Sequence, residues 1–587
     1  MAYLRISNLG FTYPRTGLNA DSQARLRVDN RIDGCGDGLR DDGVRSKEAC
    51  DKLRSMPSAG DVVHEISVAL KGISFEVERR DIVLLAGKSG SGKTTLLKML
   101  KPMIAPKGRM EGTILLEGCK LDSLPEIEQA RRIGFVMQDP DAQICTDMVI
   151  SELAFGLENE GVPFDEMHAR IAEAVMYFGM TDILHTETSK LSGGQKQLLN
   201  LASVFVMRPE VILLDEPMAQ LDPVSRRRFL DMLLQINEEF GTTIVIAEHY
   251  LDDLYRHADK VVFLKTGRLV CEGDPRAAAR KIYDAHDGLL ELLPASARLA
   301  KAIDPDTSFI PLTVREARAW LEDRADIDQG HSRSHSAAEK DPTSAPAIAL
   351  RDIRFRYDRN LPDILRACTF SVHPGEVYAL FGANGSGKTT LLKMLTGALK
   401  PYMGSIRLNG NKVRAEQLRA SHAVAYIPQD PTLLFSKNTV AQEVANLAYL
   451  DRVGLAACAD QHPFDLSGGQ RQLLAFAKML DLDALIVCMD EPTKGMDAAT
   501  RGIAEDIINQ IASQGRAVVL ATHDVELACS CASRCAMLFD GDITTVQPAH
   551  QFLEDNFIYT TAVKRMGEGI VSGAVTIEEM VQACQVR

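Results

Sequence analysis

The chain has 587 residues, of which 45% are hydrophobic and 25% charged, proportions typical of globular proteins and sufficient for several domains with sizeable cores. Its net charge of −14 argues against a nucleic-acid partner, because a nucleic-acid footprint needs clustered lysine and arginine. No apolar run reaches the ~18 residues of a membrane helix, and residues 1–15 lack the apolar core of a signal peptide. We therefore expect a cytoplasmic protein whose membrane role would depend on a partner.

The twelve cysteines are scattered along the chain, which is typical of a reducing compartment where thiols pack as small apolar groups. Cys529, Cys531 and Cys535 form a local cluster that lacks the paired spacing of a zinc site. We interpret this cluster as helix packing rather than as a metal site.

The first predicted element is a strand at 4–13, where apolar and polar residues alternate, and a similar pattern recurs at 350–357. About 49 residues are inserted after the first of these strands, around 15–61, and they lack a sustained apolar period. We interpret this insert as a mobile surface loop. It contains three residues of metal-binding type whose spacing does not favour a site: Cys35, Cys50 and the nearby His64.

The pattern GxxxxGKT occurs twice, at 87–94 and 382–389. Each copy follows an apolar segment predicted as a strand, at 82–86 and 377–381, and precedes a predicted helix. In this context the glycines let backbone N–H groups surround phosphates, while the helix N-terminus adds positive potential. Each lysine should reach the β- and γ-phosphates, and the following threonine should ligate Mg²⁺. The predicted nucleotide-binding residues are Gly87, Ser89, Gly90, Ser91, Gly92, Lys93, Thr94 and Thr95 in the first copy, and Gly382, Asn384, Gly385, Ser386, Gly387, Lys388, Thr389 and Thr390 in the second.

Two further apolar segments, predicted as buried strands, each end in a pair of carboxylates. Asp215 and Asp490 suit Mg²⁺, which they would bind directly or through water. Glu216 and Glu491 follow at positions from which they could polarise the attacking water. The alternative, an ordinary solvated strand end, is disfavoured by the upstream phosphate-binding patterns. These strands are predicted at 211–216 and 485–491.

Corresponding motif residues recur at a near-constant offset, which indicates a duplicated domain of about 250 residues. The offset falls from 295 at the lysines to 274 at the histidines, so the second copy is shorter, mostly between Gln429 and Ser467. We predict a helical subdomain there that is smaller in the second half. The paired residues are Lys93 and Lys388, Ser192 and Ser467, Glu216 and Glu491, and His249 and His523.

The predicted division of the chain is a first domain at 1–325 and a second at 347–587, joined at 326–346 by a polar, flexible linker. Short amphipathic helices are predicted at 313–322, which contains the single tryptophan, and at 576–584. We interpret both helices as packing elements.

The order of motifs in each half resembles that of ATP-binding-cassette ATPases, over nearly all of the chain outside the insert and linker. The resemblance implies an α/β fold of two tandem P-loop NTPase domains, each with a parallel-sheet core, an N-terminal antiparallel β region and a helical subdomain. It also implies ATP hydrolysis with Mg²⁺. The residues that complete the motif series are Gln138, Gln429, the LSGGQ segments at 191–195 and 466–470, Asp222, Asp497, His249 and His523.

In that family two cassettes pair head to tail, so each LSGGQ segment would close over the nucleotide held by the other half. The histidines would contact the γ-phosphate, the glutamines would contact the metal, and Tyr13 and Tyr357 would stack on adenine, with strand packing as the alternative for the tyrosines. Since both halves retain every catalytic residue type, we predict two hydrolytic sites. Ser467, Gly468, Gly469 and Gln470 would complete the site of Lys93 and Glu216, and Ser192, Gly193, Gly194 and Gln195 that of Lys388 and Glu491.

Finer matches at 138–159, 247–253, 491–497 and 522–526 resemble the fused two-cassette subunit of energy-coupling-factor importers. Such importers move vitamins, vitamin precursors or transition-metal ions. The resemblance implies peripheral attachment at the cytoplasmic face of the membrane, with a transmembrane scaffold subunit and a substrate-binding membrane protein as partners. The insert at 15–61 departs from the usual pattern.

Two other classes of protein remain open. A twin-cassette ATPase acting on ribosomes or nucleic acid would show a long basic linker or an N-terminal cysteine cluster, and this chain shows neither pattern. A fused sugar-importer ATPase often has halves with unequal catalytic residues, whereas these halves match.

Overall fold

A computed structural model describes residues 2–14, 68–219, 221–249, 251–285, 288–324 and 345–585. The predicted insert at 15–61 and nearly all of the predicted linker lie outside these residues, as do Cys35, Cys50 and His64. Among the described helices, none is both long and apolar enough to cross a membrane. No group of three or more potential metal ligands of the His, Cys, Asp or Glu type is found within the described ranges, which include Cys529, Cys531 and Cys535.

The first half contains two sheets. A four-stranded antiparallel sheet has the order β2-β1-β4-β5, and a six-stranded sheet has the order β10-β9-β3-β8-β7-β6 with a parallel core. Only β10 pairs antiparallel in the larger sheet. The strands are β1 Leu4–Thr12, β2 Val68–Val77, β3 Ile82–Ala86, β4 Arg109–Leu116, β5 Cys119–Lys120, β6 Ile133–Val136, β7 Val211–Asp215, β8 Thr243–Ala247, β9 Lys260–Lys265 and β10 Arg268–Gly273.

The second half repeats this architecture, with sheets ordered β12-β11-β14-β15 and β16-β17-β18-β13-β19-β20. The fold is therefore α/β with two P-loop domains, which confirms the predicted fold class. The strands are β11 Ile348–Phe355, β12 Leu365–Val372, β13 Val377–Phe381, β14 Met403–Leu408, β15 Asn411–Val413, β16 Val424–Ile427, β17 Ile486–Asp490, β18 Ala517–Ala521, β19 Arg534–Phe539 and β20 Asp542–Pro548.

The central strands of both parallel cores are buried at every position: β3, β7 and β8 in the first half, and β13, β17 and β18 in the second. Such strands need apolar residues on both faces, because helices cover both sides of a parallel sheet. This requirement explains why short continuous apolar segments predicted them. It also places the polar residues that follow each strand at one edge of the sheet, where the phosphate-binding loops begin.

Helices surround these sheets and form the smaller subdomains. The first-half helices are α1 Lys93–Met99, α2 Glu126–Arg132, α3 Pro140–Gln143, α4 Val149–Asn159, α5 Phe164–Tyr177, α6 Gly193–Phe205, α7 Pro223–Phe240, α8 Pro275–Ala285, α9 Ala295–Ile303 and α10 Val314–Arg324. The second-half helices are α11 Lys388–Leu395, α12 Ala415–Ala420, α13 Val440–Glu443, α14 Ala448–Arg452, α15 Gly468–Asp481, α16 Ala498–Ser513, α17 Val525–Cys531, α18 Ala549–Asp555, α19 Ala562–Gly567 and α20 Ile577–Gln585.

The helical subdomain differs in size between the halves, as predicted. In the first half, α4 and α5 have 11 and 14 residues, whereas α13 and α14 of the second half have 4 and 5. The deletion inferred from the spacing of motifs therefore shortens these two helices and leaves the strands of the core intact.

The two halves also meet through helices that follow each core. α9 and α10 pack against α19 and α20 in one apolar cluster, which includes the buried Trp320 and Met580. The indole N–H of Trp320 donates to the Thr307 hydroxyl at 3.3 Å. The helices predicted at 313–322 and 576–584 are thus present, and they join the two halves rather than each serving its own domain.

Candidate functional site

A cavity of about 3040 Å³ lies between the halves and is lined by both phosphate-binding loops, both LSGGQ segments and both motif histidines. Most of the predicted site residues therefore face a common space; those not among its lining residues are Gly87, Gly194, Asp215, Gly382, Ser386 and Gln470. Its walls come from elements more than 250 residues apart in the chain, for example Lys93 and Ser467.

Each phosphate-binding loop is closed by its own lysine. Lys93 Nζ donates to the carbonyl of Gly87 at 2.7 Å, and Lys388 Nζ donates to that of Gly382 at 2.7 Å. Burial lowers the pKa of both ammonium groups, although nearby carboxylates offset part of this effect. Each lysine is the first residue of its helix, and its ammonium is held against the loop that precedes the helix.

The loops have the shape and the polar groups that a phosphate chain requires. A Cβ atom on Gly87 would lie 2.6 Å from the Leu264 carbonyl, and one on Gly382 would lie 2.4 Å from that of Leu538, so only glycine fits these positions. Gly92 and Gly387 have φ values of 101° and 106°, which favour glycine. The hydroxyls of two loop serines are buried without a hydrogen-bond partner among the described residues, so each loop retains donors for an anion: Ser91 and Ser386.

Hard oxygen donors lie beside each loop. Thr94 Oγ1 donates to Asp215 Oδ1 at 3.0 Å, and Thr389 Oγ1 donates to Asp490 Oδ2 at 2.6 Å. Burial and the Glu216 charge raise the pKa of Asp215 to about 6, and burial also raises the pKa of Asp490. A hydroxyl and a desolvated carboxylate at this position fit Mg²⁺, which prefers oxygen ligands. In the second half, the Tyr426 hydroxyl also donates to Asp490, at 3.3 Å.

The first glutamate, Glu216, lies in a polar cluster. Its carboxylate accepts a hydrogen bond from Gln138 Nε2 at 2.8 Å and contacts His249 Nε2 at 2.7 Å. Burial opposes ionisation, but the contacts with His249 and Lys93 outweigh it and lower the pKa of Glu216. The residue has φ 45°, a left-handed conformation that is uncommon outside glycine and is concentrated at functional sites.

The second glutamate, Glu491, has the same backbone conformation, with φ 49°, but different partners. Its carboxylate accepts the backbone N–H of His523 at 3.3 Å, and its Oε1 lies 3.3 Å from His523 Nε2. The histidine ring also contacts Asn384 Oδ1 at 3.1 Å and Lys388 Nζ at 3.2 Å. Gln429 and Gln138 are both exposed on the cavity wall, and the amide of Gln138 reaches the first glutamate.

Electrostatics separate these two glutamates. Burial raises the pKa of Glu491 to about 7, in contrast to the lowered pKa of Glu216. His523 is held neutral, since burial and the Lys388 charge lower its pKa to about 3. The two sites therefore share their motifs but not the protonation state of their carboxylates near neutral pH.

This difference predicts distinct pH profiles for the two sites. A general base must be ionised, so turnover at the second site should fall about tenfold per pH unit below pH 7, as Glu491 becomes protonated. The general base of the first site should stay ionised over the same range, because the pKa of Glu216 is lowered, so turnover there should fall less steeply than at the second site. ATPase assays between about pH 5.5 and 8.5 measure each profile. The Glu216→Gln chain reports the second site, and the Glu491→Gln chain reports the first. Identical profiles in the two variants would contradict this prediction.

Both phosphate-binding loops are also held by the opposite half. The backbone N–H of Ser89 donates to Asp497 Oδ2 at 2.9 Å, and that of Asn384 donates to Asp222 Oδ2 at 3.4 Å. These carboxylates also cap α16 and α7 of their own halves. Each aspartate therefore connects a helix in one half to the phosphate-binding loop of the other.

The two LSGGQ segments form helix N-termini on the cavity wall. Ser192 and Ser467 each make a capping box, in which the serine hydroxyl accepts the N–H of Gln195 or Gln470. Each glutamine side chain in turn accepts the serine backbone N–H at 2.9 Å. The glutamines thus stabilise the helix start, and the positive end of the helix faces the cavity.

The predicted adenine-stacking tyrosines lie at the rim of the same cavity. The hydroxyl of Tyr13 is 3.0 Å from Thr95 Oγ1, and that of Tyr357 is 3.2 Å from Thr390 Oγ1. The two residues are 37% and 58% exposed, although the ring of each also makes an edge-to-face contact with a strand phenylalanine. Strand contact and availability to a ligand therefore coexist at both positions.

Some residues of this arrangement were absent from the predicted site. Asp222 and Asp497 were recognised as motif turns, but their contacts across the halves were not predicted. Glu248, a buried carboxylate beside His249, was also missed, although a carboxylate at the end of an apolar strand is itself a signal.

Comparison with known proteins agrees with this geometry. The ABC transporter family matches residues 70–219 and 365–494. A Bacillus cereus protein named as an ABC transporter ATP-binding protein is 37% identical over 531 residues, covering 88% of this chain and 95% of that protein. YkoD of Bacillus subtilis, named as an HMP/thiamine import ATP-binding protein, is 32% identical over 487 residues, covering 80% of this chain and 86% of YkoD.

A solved complex of an archaeal ribosomal stalk protein with the archaeal ribosome recycling factor aABCE1 has a TM-score of 0.52 and 20% identity, covering 81% of this chain and 87% of that chain. This likeness concerns the fold alone. The family match, the two complete sets of motifs and the full-length relatives lead to one conclusion: the chain belongs to the ABC transporter ATP-binding proteins and is an ATPase with two cassettes.

Proposed function

We propose that this ATPase is the fused energising subunit of an energy-coupling-factor importer for a vitamin, a vitamin precursor or a transition-metal ion. The observation that carries the proposal is the similarity to YkoD over 80% of the chain, since that protein is named for import of HMP or thiamine. In this role the chain binds at the cytoplasmic face of the membrane. Its partners are a transmembrane scaffold subunit and a substrate-binding membrane protein.

The proposed chemistry assigns a role to each group at the two sites. Glu216 and Glu491 act as general bases that orient the attacking water and accept its proton. Lys93 and Lys388 bind the β- and γ-phosphates of ATP, and His249 and His523 contact the γ-phosphate. Mg²⁺, when bound, neutralises charge on the phosphates. It would be held by Thr94, Asp215 and Gln138 at the first site, and by Thr389, Asp490 and Gln429 at the second.

Closure of the two cassettes over ATP is the conformational change proposed to drive import. ATP favours the closed arrangement because each nucleotide contacts the phosphate-binding loop of one half and the LSGGQ segment of the other, so binding shifts the population. The hydrogen bonds from Ser89 to Asp497 and from Asn384 to Asp222 support this head-to-tail pairing. Hydrolysis removes the bridging contacts and allows the halves to separate.

The proposed domains span 1–325 and 347–587 and are joined by a linker at 326–346.

Exposed apolar side chains near both glutamine loops support a docking role for the helical subdomains. Phe155 on α4 is 43% exposed, and Leu433, four residues beyond Gln429, is 76% exposed. Both residues lie in the segments that follow the glutamine loops, and apolar surface exposed there would suit a protein partner. We propose that these two residues contact the scaffold subunit.

Purification from membranes in mild detergent tests the proposal. We expect two polytopic membrane proteins to accompany the tagged chain, one of them retaining a vitamin or metal ion that mass spectrometry can identify. Recovery of ribosomal proteins in their place would contradict the importer and favour the ribosome-associated alternative. Recovery of the chain without any membrane protein would also contradict it.

Substitution of the proposed docking residues sharpens this test. The Phe155→Asp, Leu433→Asp double variant should lose most of the co-purifying scaffold, at least about tenfold, because a buried unpaired carboxylate costs several kcal/mol at an interface. ATP hydrolysis by the isolated chain should change less than about twofold: Leu433 lies on the cavity wall, but neither residue is one of the predicted catalytic or nucleotide-binding residues. Val546→Asp, at an exposed position of β20, is the matched control and should retain the scaffold. Equal recovery of the scaffold with the unaltered chain, the double variant and the Val546→Asp control would contradict the proposed docking surface.

A further inference from the structure

The two ATP sites differ at the residue directly before the motif histidine. In the first half this residue is Glu248, which is 1% exposed and directly follows β8. Its Oε1 accepts the backbone N–H of Met218 at 2.8 Å, and its Oε2 accepts that of His249 at 3.2 Å. One carboxylate therefore joins the loop that follows Glu216 to the loop that carries His249.

In the second half the corresponding loops are joined through different groups. Thr522 replaces Glu248, and its hydroxyl accepts the N–H of Asp524 at 2.9 Å. Asp524 accepts the hydroxyl of Thr493 at 2.9 Å, so the two loops are joined through side chains. The N–H of His523 is left to the catalytic carboxylate itself, Glu491, at 3.3 Å.

The contacts of Glu248 affect the orientation of the first catalytic glutamate, Glu216. Because Glu248 accepts the backbone N–H of His249, Glu216 can direct its carboxylate toward the side chains of Gln138 and His249. In the second half the catalytic carboxylate is itself bonded to the histidine backbone. A buried acceptor held by two backbone N–H groups has little freedom to move, so it can define the distance between the loops.

We propose that Glu248 is a positioning residue for the first ATP site, which holds His249 and the loop after Glu216 in register and makes this site unequal to the second. The inference rests on the proposed catalytic roles of Glu216 and His249. The charges facing Glu248 are Glu216, which opposes its ionisation, and Arg226, which favours it. Burial and Glu216 raise the pKa of Glu248 to about 7. Lys93 also lies within electrostatic range.

The test uses the full-length chain with Glu491→Gln, so that only the first site turns over. Glu248→Thr introduces the residue found in the second half and removes both carboxylate oxygens that accept backbone N–H groups. Glu248→Gln keeps one acceptor oxygen and nearly the same volume, so it should show a partial effect. The matched control is Glu238→Gln, which removes a charge from an exposed position on α7 of the same half.

We expect kcat for ATP to fall roughly tenfold in Glu248→Gln and more in Glu248→Thr, because each lost hydrogen bond leaves a buried backbone N–H without its acceptor. The KM for ATP should stay within about twofold, since phosphate binding does not involve Glu248. The melting temperature is measured in parallel, and the glutamine variant keeps the comparison valid if the threonine variant fails to fold.

An unchanged kcat in both folded variants would overturn the inference. If the melting temperature fell while kcat stayed unchanged, the role of Glu248 would be purely structural. Failure of the underlying catalytic assignment is detected separately. In that case the Glu216→Gln, Glu491→Gln double variant would retain turnover, whatever Glu248 does.

Discussion

Glutamine in place of Glu216 is expected to lower ATP turnover at the first site by about 10²- to 10⁴-fold, the range typical of a lost general base. The amide can still hydrogen-bond to the His249 ring, which lies 2.7 Å from the carboxylate, but it cannot accept the proton of the attacking water. Total turnover should fall only to the share of the second site, because Glu491 remains intact. Glu491→Gln should have the complementary effect.

Steady-state ATPase assays of both single variants and the double variant measure these shares. ATP binding should persist in all three proteins, since the phosphate-binding loops are unchanged, and a labelled nucleotide checks this expectation. The double variant should be inactive. If either single substitution leaves total turnover untouched, the prediction of two hydrolytic sites is wrong.

Aspartate in place of Gly469 is expected to inactivate the first site by about 10²- to 10³-fold, comparable to the loss of an electrostatic stabiliser. A Cβ atom at Gly469 meets nothing closer than the Gly495 carbonyl at 3.7 Å, so a side chain can begin there without a clash. In the proposed head-to-tail pairing, the LSGGQ segment of one half would serve the nucleotide of the other, so the new charge would face the phosphates held by Lys93. The effect should therefore appear in the opposite half of the chain.

Combined variants distinguish this arrangement from a site built within one half. Added to Glu216→Gln, Gly469→Asp should cause no further loss, because both substitutions act on the same site. Added to Glu491→Gln, it should abolish the remaining turnover. The reverse pattern would show that each LSGGQ segment serves its own half and would contradict head-to-tail pairing. Unaltered thermal stability of Gly469→Asp is the control for folding.

Local sequence determined the phosphate-binding loops and the strands before them. The strands at 82–86 and 377–381 were predicted with the bounds that the structure has. This was possible because a short apolar segment is the only pattern a strand buried on both faces can have, and because the loop backbone needs glycine. Likewise, the different spacing of motifs in the two halves was sufficient to predict the smaller second subdomain.

The partners of the catalytic groups were decided by the tertiary structure alone. Ser89 and Asp497 are 408 residues apart, and their hydrogen bond depends on how the halves dock. The opposite pKa directions of Glu216 and Glu491 arise from burial and from different histidine contacts, which matched motifs do not record. Sequence thus specified which chemical groups each site contains, because local patterns encode loops and strands. Their geometry and protonation depend on long-range packing, which no local pattern contains.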